Sequence, residues 1–167
     1  MIYFVTGASG FIGKRLVRTL LSHPGSVVYF LSRDASAERV GKLREYWNVG
    51  ADRAIPIAGD LTRAGLGVAP DDVESLRNKV DHFFHLGAVY ALDADPETEM
   101  TTNVDGTRHA VRFAESIGAK RFHHMSSIAA AGLYRGVFRE DMWEQAEGLD
   151  HPYFASKHQA ENHDSHE

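Results

Sequence analysis

The chain opens on four apolar residues, Ile2-Tyr3-Phe4-Val5. It runs straight into Thr6-Gly7-Ala8-Ser9-Gly10-Phe11-Ile12-Gly13, after which apolar residues recur at helical spacing as far as Leu21. An extended run, a glycine turn and a helix start, in that order, constrain the fold more than any other stretch. Gly7 suits a tight turn, Gly10 lets backbone approach a ligand, and Gly13 lets the helix lie close on the strand. The first turn of such a helix presents unpaired N–H groups and the positive end of its dipole, a combination that holds phosphate. Gly7, Ser9, Gly10, Phe11, Ile12 and Gly13 are therefore candidates for the pyrophosphate site of a dinucleotide. A plain strand-to-helix turn carries the same glycines, so the motif needs support elsewhere.

The rest of the sequence repeats the alternation. Apolar runs at Ile2–Val5, Val27–Leu31, Ala54–Ile57, His82–Leu86 and Arg121–Met125 predict strands. Helical patterns cover Phe11–Leu21, Ala37–Trp47, Asp71–Asn78, Glu97–Ile117 and Pro152–Asn162. Strands alternating with helices argue an α/β fold with a parallel, doubly wound sheet and right-handed crossovers, in the order 3-2-1-4-5. The punctuation agrees: His23-Pro24-Gly25 ends the first helix, Asp95-Pro96-Glu97 starts the fourth, and Gly118 closes it. The 167 residues suit one domain, 1–167. The helix carrying Tyr153 runs into Asn162-His163-Asp164-Ser165-His166-Glu167, which has no apolar face. A doubly wound sheet usually continues beyond this point. The expectation is a chain lacking later strands and a substrate subdomain, with its fifth strand at an open edge that favours self-association.

Composition matters mainly for what it excludes. A net charge of -5 without a basic stripe argues against nucleic-acid binding. No apolar run approaches the roughly 20 residues of a membrane span. Met1 leads directly into the first strand, which leaves no room for a signal peptide, and there is no cysteine. The expected compartment is cytoplasmic. Ten histidines invite a metal reading. However, His82 and His85 fall on opposite faces of one strand, His123 and His124 likewise diverge, and His158, His163 and His166 lie near the end. No metal site is expected.

Tyr153 and Lys157 stand four apart on a predicted helix and share a face. An ammonium favours the phenolate and lowers a tyrosine pKa. A tyrosine tuned this way can exchange a proton with a carbonyl or alcohol oxygen while hydride moves at carbon. Ser126-Ser127 follow the fifth strand, where side chains at carboxyl ends face the ligand crevice, and a serine there can hydrogen-bond a substrate oxygen. The end of the second strand, Leu31-Ser32-Arg33-Asp34, sets cofactor choice. The planar fork of Arg33 suits the 2′-phosphate of NADP, and Asp34 would serve the ribose hydroxyl of NAD if the strand ran one residue longer. NADP is favoured.

These pieces together resemble the extended short-chain dehydrogenase/reductase family. In order they are the glycine loop, Gly59-Asp60-Leu61-Thr62, His85-Leu86-Gly87-Ala88, Asn103-Val104-Asp105-Gly106-Thr107, Ser126-Ser127, and Tyr153 with Lys157. The resemblance implies that Asp60 and Leu61 flank the adenine and that Gly87 and Ala88 border the nicotinamide half. It implies that Ser127, rather than Ser126, polarises the substrate oxygen, and that Tyr153 is the acid/base. Lys157 then binds the nicotinamide ribose and tunes Tyr153, and Asn103 supports the site as a catalytic residue. Gly87 departs from the alanine usual there. The stretches from His85 to Asp95 and from Arg121 to Ser127 look most like the fatty-acyl and thioester reductase branch (male-sterility-like). Ser-Ser-Ile-Ala-Ala-Ala-Gly also resembles 3β-hydroxysteroid dehydrogenases. The implied activity is hydride transfer between nicotinamide and a carbonyl, acyl-thioester or hydroxyl substrate. A sugar-nucleotide epimerase or dehydratase and a non-catalytic nucleotide-binding fragment are the alternatives. Family analogy also makes Glu97–Ile117 a candidate dimer surface.

Overall fold

The computed structural model describes residues 1–33, 35–89 and 96–162. Asp34, Asp95, His163 and His166 lie outside the described residues, so the rival cofactor residue is not placed. The sheet has five parallel strands: β1 (Ile2–Thr6), β2 (Val27–Ser32), β3 (Ala54–Ala58), β4 (His82–His85) and β5 (Phe122–His124). Their order is β3-β2-β1-β4-β5, the doubly wound arrangement expected. Register is set pair by pair, with Ile2 opposite Val27, Tyr3 opposite His82, Val28 opposite Ala54 and Phe83 opposite Phe122.

The chain divides into two compact units, Met1–Gly87 with His109–Met125, and Ala88–Arg108 with Ser126–Glu167. The first holds the sheet. Alternate residues of β1 point to opposite faces, as the two-residue period demands. Tyr3 and Val5 join Val28 and Phe30 of β2 beneath α1 (Phe11–Ser22) and α2 (Ala37–Trp47), where Val17, Leu20, Leu21, Val40, Leu43 and Trp47 close the layer. The Trp47 indole meets Phe30 edge-on at 5.3 Å and donates to the Lys14 carbonyl at 3.0 Å. On the other face Phe4 stacks on Phe83 at 4.8 Å and reaches Phe113 at 5.5 Å. Leu76, Val80, Ala110 and Ile117 complete that layer. Truncating a buried Phe in such a layer costs about 3–5 kcal/mol.

Strand and helix positions match the sequence reading closely, with one revision. The third helix, α3, is Pro70–Leu76. The single long helix expected over 97–117 is three consecutive pieces: α4 (Pro96–Met100), a π-helical turn (Thr101–Asp105) and α5 (Gly106–Ser116). In the π turn the Gly106 N–H bonds to the Thr101 carbonyl, one residue further back than in an α-helix. The inserted residue resets which side chains face inward. Both Asn103 and Val104 are buried there. Periodicity reading assumes a constant 3.6 and passes over a break of this kind.

The second unit carries α4, the π turn, a 3₁₀ turn (Ile128–Ala131) and α6 (Pro152–Asn162). Leu133 N–H donates to the Glu147 carbonyl at 2.6 Å. The Trp143 ring lies flat on His158 at 4.3 Å and its N–H donates to the His158 carbonyl. His158 in turn donates from Nδ1 to the Ala130 carbonyl at 3.0 Å. Trp143 and Trp47 are both packing residues. Among the described residues no helix is long and apolar enough to cross a membrane.

The histidines pair across β4 and β5. His82 Nδ1 lies 2.9 Å from His123 Nε2, and on the other face the His85 ring lies 5.4 Å from that of His124. Burial holds His123 below the ordinary histidine range, with His82 and Arg121 adding to the effect. A depressed native pKa contributes stability that is complete above the unfolded value, about 6.5, and is lost as pH falls toward the native one. Chemical unfolding should show a falling midpoint from about pH 7 to about pH 5. His123→Phe should flatten that fall, and an unchanged slope would mean that the pair does not carry it.

Candidate functional site

The glycine loop forms the expected turn. Gly7 sits at φ +71°, and the Gly10 N–H closes back on the Gly7 carbonyl at 3.0 Å. Gly13 is fixed by contact rather than conformation: a Cβ there would overlap the Gly7 oxygen. Helix α1 begins at Phe11 with Gly10 as its N-cap, and no side chain caps it. Ser9, Gly10, Phe11 and Ile12 are exposed, Phe11 to 76%. The Arg15 guanidinium lies 3.8 Å above the Phe11 ring and donates to the Phe11 carbonyl. An open, uncapped helix start beside a cation fits a pyrophosphate.

The carboxyl ends of β1 and β4 are tied together here. Thr6 Oγ1 accepts from the Leu86 and Gly87 N–H groups at 3.2 and 3.1 Å and lies 2.7 Å from His85 Nδ1. With both lone pairs occupied, the Thr6 hydrogen points to Nδ1, which leaves the His85 ring proton on Nε2. The space where an alanine methyl would stand at Gly87 is taken by Leu61 Cδ1. His109 Nδ1–H donates to the Leu61 carbonyl at 2.9 Å. Asp60 accepts from the Thr62 N–H and hydroxyl, each at 2.9 Å. The Thr62 backbone bond leads in holding Asp60 below the usual carboxylate range, and the positive charges of Arg33 and Arg63 add to it. Arg33 is exposed directly after β2.

In the second unit, Asn103 is the hub. Its Oδ1 accepts from the Val89 N–H at 2.8 Å, and its Nδ2 donates to the Val89 carbonyl and to Ser156 Oγ, both at 3.0 Å. Ser156 passes its own hydrogen to the Tyr153 carbonyl at 3.0 Å. Tyr153 is half-buried on α6, and Lys157 is only 5% exposed. Burial pushes the Lys157 ammonium down from the ordinary lysine range, and Glu161 acts in the opposite sense. Ser127 Oγ accepts from the Ala129 N–H at 3.2 Å, and Ser126 Oγ donates to the Glu161 carboxylate. Ala88 is exposed at the start of this unit. Among the described residues no three His, Asp or Glu side chains form a metal-binding group.

The sequence reading named Asn103, Tyr153 and Lys157 but passed over Thr6, Ser156 and Glu161. Thr6 gives no sequence signal beyond its place before Gly7. Glu161 does give one, because it follows Lys157 by the same four residues that separate Lys157 from Tyr153.

Residues 5–163 match the male sterility protein family, an NAD-binding domain family. A linear gramicidin synthase polypeptide of Brevibacillus parabrevis is 33% identical over 172 residues, covering 95% of this chain and 3% of that protein. Among solved structures, the terminal R domain from the myxalamid PKS-NRPS biosynthetic pathway superposes with a TM-score of 0.77 at 27% identity, covering 96% of this chain and 44% of that one. The UDP-glucuronic acid 4-epimerase from Bacillus cereus in complex with NAD has a TM-score of 0.74 at 23% identity, covering 98% and 51%, and is alike in fold. The chain thus spans a small part of its curated relative and about half of the solved chains.

Asn103→Ala removes three hydrogen bonds and strands the Val89 backbone groups. Unpaired buried polar groups cost about 1–3 kcal/mol. Thermal unfolding should show a midpoint several degrees lower, and an unchanged midpoint would remove Asn103 from the support of this unit.

Proposed function

This chain belongs to the male sterility protein family, and on that premise we propose that it is the cofactor-binding part of an NADP(H)-dependent reductase that acts on an acyl thioester or a related carbonyl. The observation that carries the reading is the Tyr153–Lys157 pair on α6, with Lys157 almost wholly buried. The uncapped start of α1 supports a pyrophosphate, and the exposed Arg33 supports a 2′-phosphate. The likeness at 26% identity to the reductase (R) domain of a nonribosomal peptide synthetase from Mycobacterium tuberculosis favours a thioester over a sugar nucleotide.

In this reading the dinucleotide, when bound, supplies the hydride that reaches the carbonyl carbon. Gly7, Ser9, Gly10, Phe11, Ile12 and Gly13 hold the pyrophosphate by backbone N–H groups and leave room for it. Asp60 and Leu61 flank the adenine, and Gly87 and Ala88 border the nicotinamide half. Ser127 donates a hydrogen bond to the carbonyl oxygen of the substrate and stabilises charge as it develops there. Tyr153 gives its phenolic proton to that oxygen. Lys157 holds the ribose and favours the phenolate left behind. Asn103 fixes the start of α6 through Ser156. A thioester reduced in this way becomes a hemithioacetal, which collapses to aldehyde and thiol.

Two expected outcomes test the reading. Arg33→Ala should weaken NADPH binding by about 1–3 kcal/mol, the scale of a charge-assisted hydrogen bond, and leave NADH almost unchanged. Fluorescence titration with both cofactors separates this from a structural role, which would weaken both alike. In the protein that carries this domain, Tyr153→Phe should lower NADPH-dependent reduction of an acyl-CoA thioester by about 10²–10⁴-fold while cofactor affinity holds. Near-native turnover in the Phe variant would remove Tyr153 from the proton-transfer role.

A further inference from the structure

Tyr153, Lys157 and Glu161 follow one another at intervals of four along α6, so the three side chains form a single row on one helix face. The row does not end in solvent. The Glu161 carboxylate accepts a hydrogen bond from the hydroxyl of Ser126, the residue that opens the second unit after β5 and precedes Ser127. Glu161 is half-buried and Lys157 is buried, so an acid in this row acts through a medium far less polar than water.

Among the described residues, the elements packed on α6 supply one buried rival charge, that of Glu99. The 3₁₀ turn Ile128–Ala131 has none. Helix α4 brings Glu97, which is exposed, and Glu99, which is buried. The π turn brings Asp105, already paired with Arg108 at 2.6 Å. On α6 itself, His158 is engaged with the Ala130 carbonyl.

We propose that Glu161 is a positioning residue, anchored by Ser126, whose carboxylate keeps the Lys157 side chain charged and in line with Tyr153. It acts through Lys157 and touches neither substrate nor cofactor. The inference rests on the Tyr153–Lys157 reading above. Its physical basis is that burial alone disfavours the ammonium and a neighbouring carboxylate restores it. The hydrogen bond from Ser126 stops that carboxylate from turning to water, and it couples the segment carrying Ser127 to the helix carrying Tyr153.

The test needs no substrate. Protein labelled with ¹³C-lysine, with the Lys157 signal assigned by Lys157→Arg, reports the ionisation of Lys157 by NMR titration. Glu161→Gln should move that midpoint to lower pH, and Glu161→Asp should restore it. Ser126→Ala should move it in the same direction by less, because the acid remains but loses its anchor. It also carries the test if the Gln variant fails to fold. A Lys157 midpoint that stays put in Glu161→Gln overturns the proposal, and one that moves there but not in Ser126→Ala overturns the anchoring. With NADPH and an acyl-CoA thioester, Glu161→Gln should lower kcat about tenfold and raise KM for NADPH, because Lys157 also holds the ribose. The alkaline limb of its pH profile should shift down, because losing a nearby negative charge eases proton loss from either Lys157 or Tyr153. If wild-type protein turns over no thioester, the reductase reading fails while the Lys157 titration still decides this one.

Discussion

The close approach of α1 to the end of β1 is the constraint on which the first unit depends. A Cβ at residue 13 would overlap the Gly7 oxygen, so the helix can lie against the turn only if that residue has no side chain. That approach seats Val17, Leu20 and Leu21 on Val5 and Phe30 and closes one core layer. It also leaves the first helical turn without a capping side chain and open to solvent. The backbone groups that a cap would satisfy are left for a ligand. On the proposed reading, one steric requirement thus serves packing and binding together.

The second unit is organised differently. Glu99, Asn103, Thr107, Ser156 and Lys157 are nearly inaccessible there beside Val104, Ala129, Ala130 and Ala160, and no described buried side-chain nitrogen or oxygen lacks a partner. Hydrogen bonds of this kind contribute modestly when made and cost heavily when left half-made. They therefore specify one arrangement more than they stabilise it. The π turn is part of that specification. It brings Asn103 inward where a regular helix would turn it elsewhere, and the Thr107 hydroxyl donates to the Asn103 carbonyl at 2.6 Å to steady the distorted backbone.

Much of this was legible in the sequence because it follows from local rules. Apolar runs, glycine turns and helical spacing give all five strands, their order and the helices on either side. They do so because β1 to β4 are short runs with buried residues on them and every strand is followed by a helical segment before the next. The glycine loop was legible for the same reason. The π turn was not, since inserting one residue changes no residue type and leaves the apolar pattern plausible on both sides. Nor was the bond between Ser126 and Glu161, which joins positions 35 residues apart. The histidines were half legible. The two-residue period assigns His82 and His85 to opposite faces, but only the β4–β5 register puts His82 beside His123.

The pairing of Gly87 with Leu61 shows why a departure from a family pattern is best read with its neighbours. On the sequence alone, glycine in place of alanine at the end of β4 looks like a small loss of packing. In the fold the missing methyl is replaced by Leu61, whose Cδ1 enters the vacated space, while the Leu61 carbonyl is held by His109. Restoring alanine would put the methyl against Leu61 Cδ1, the far end of a flexible side chain, which would have to turn aside to admit it. The loop that carries Leu61 is also held by the Asp60 N–H bond to the Leu66 carbonyl at 2.7 Å. The two positions act as one packing choice, made between segments that both reach the carboxyl edge of the sheet. There the Leu61 side chain supplies the volume that an alanine methyl would otherwise fill, as close packing requires.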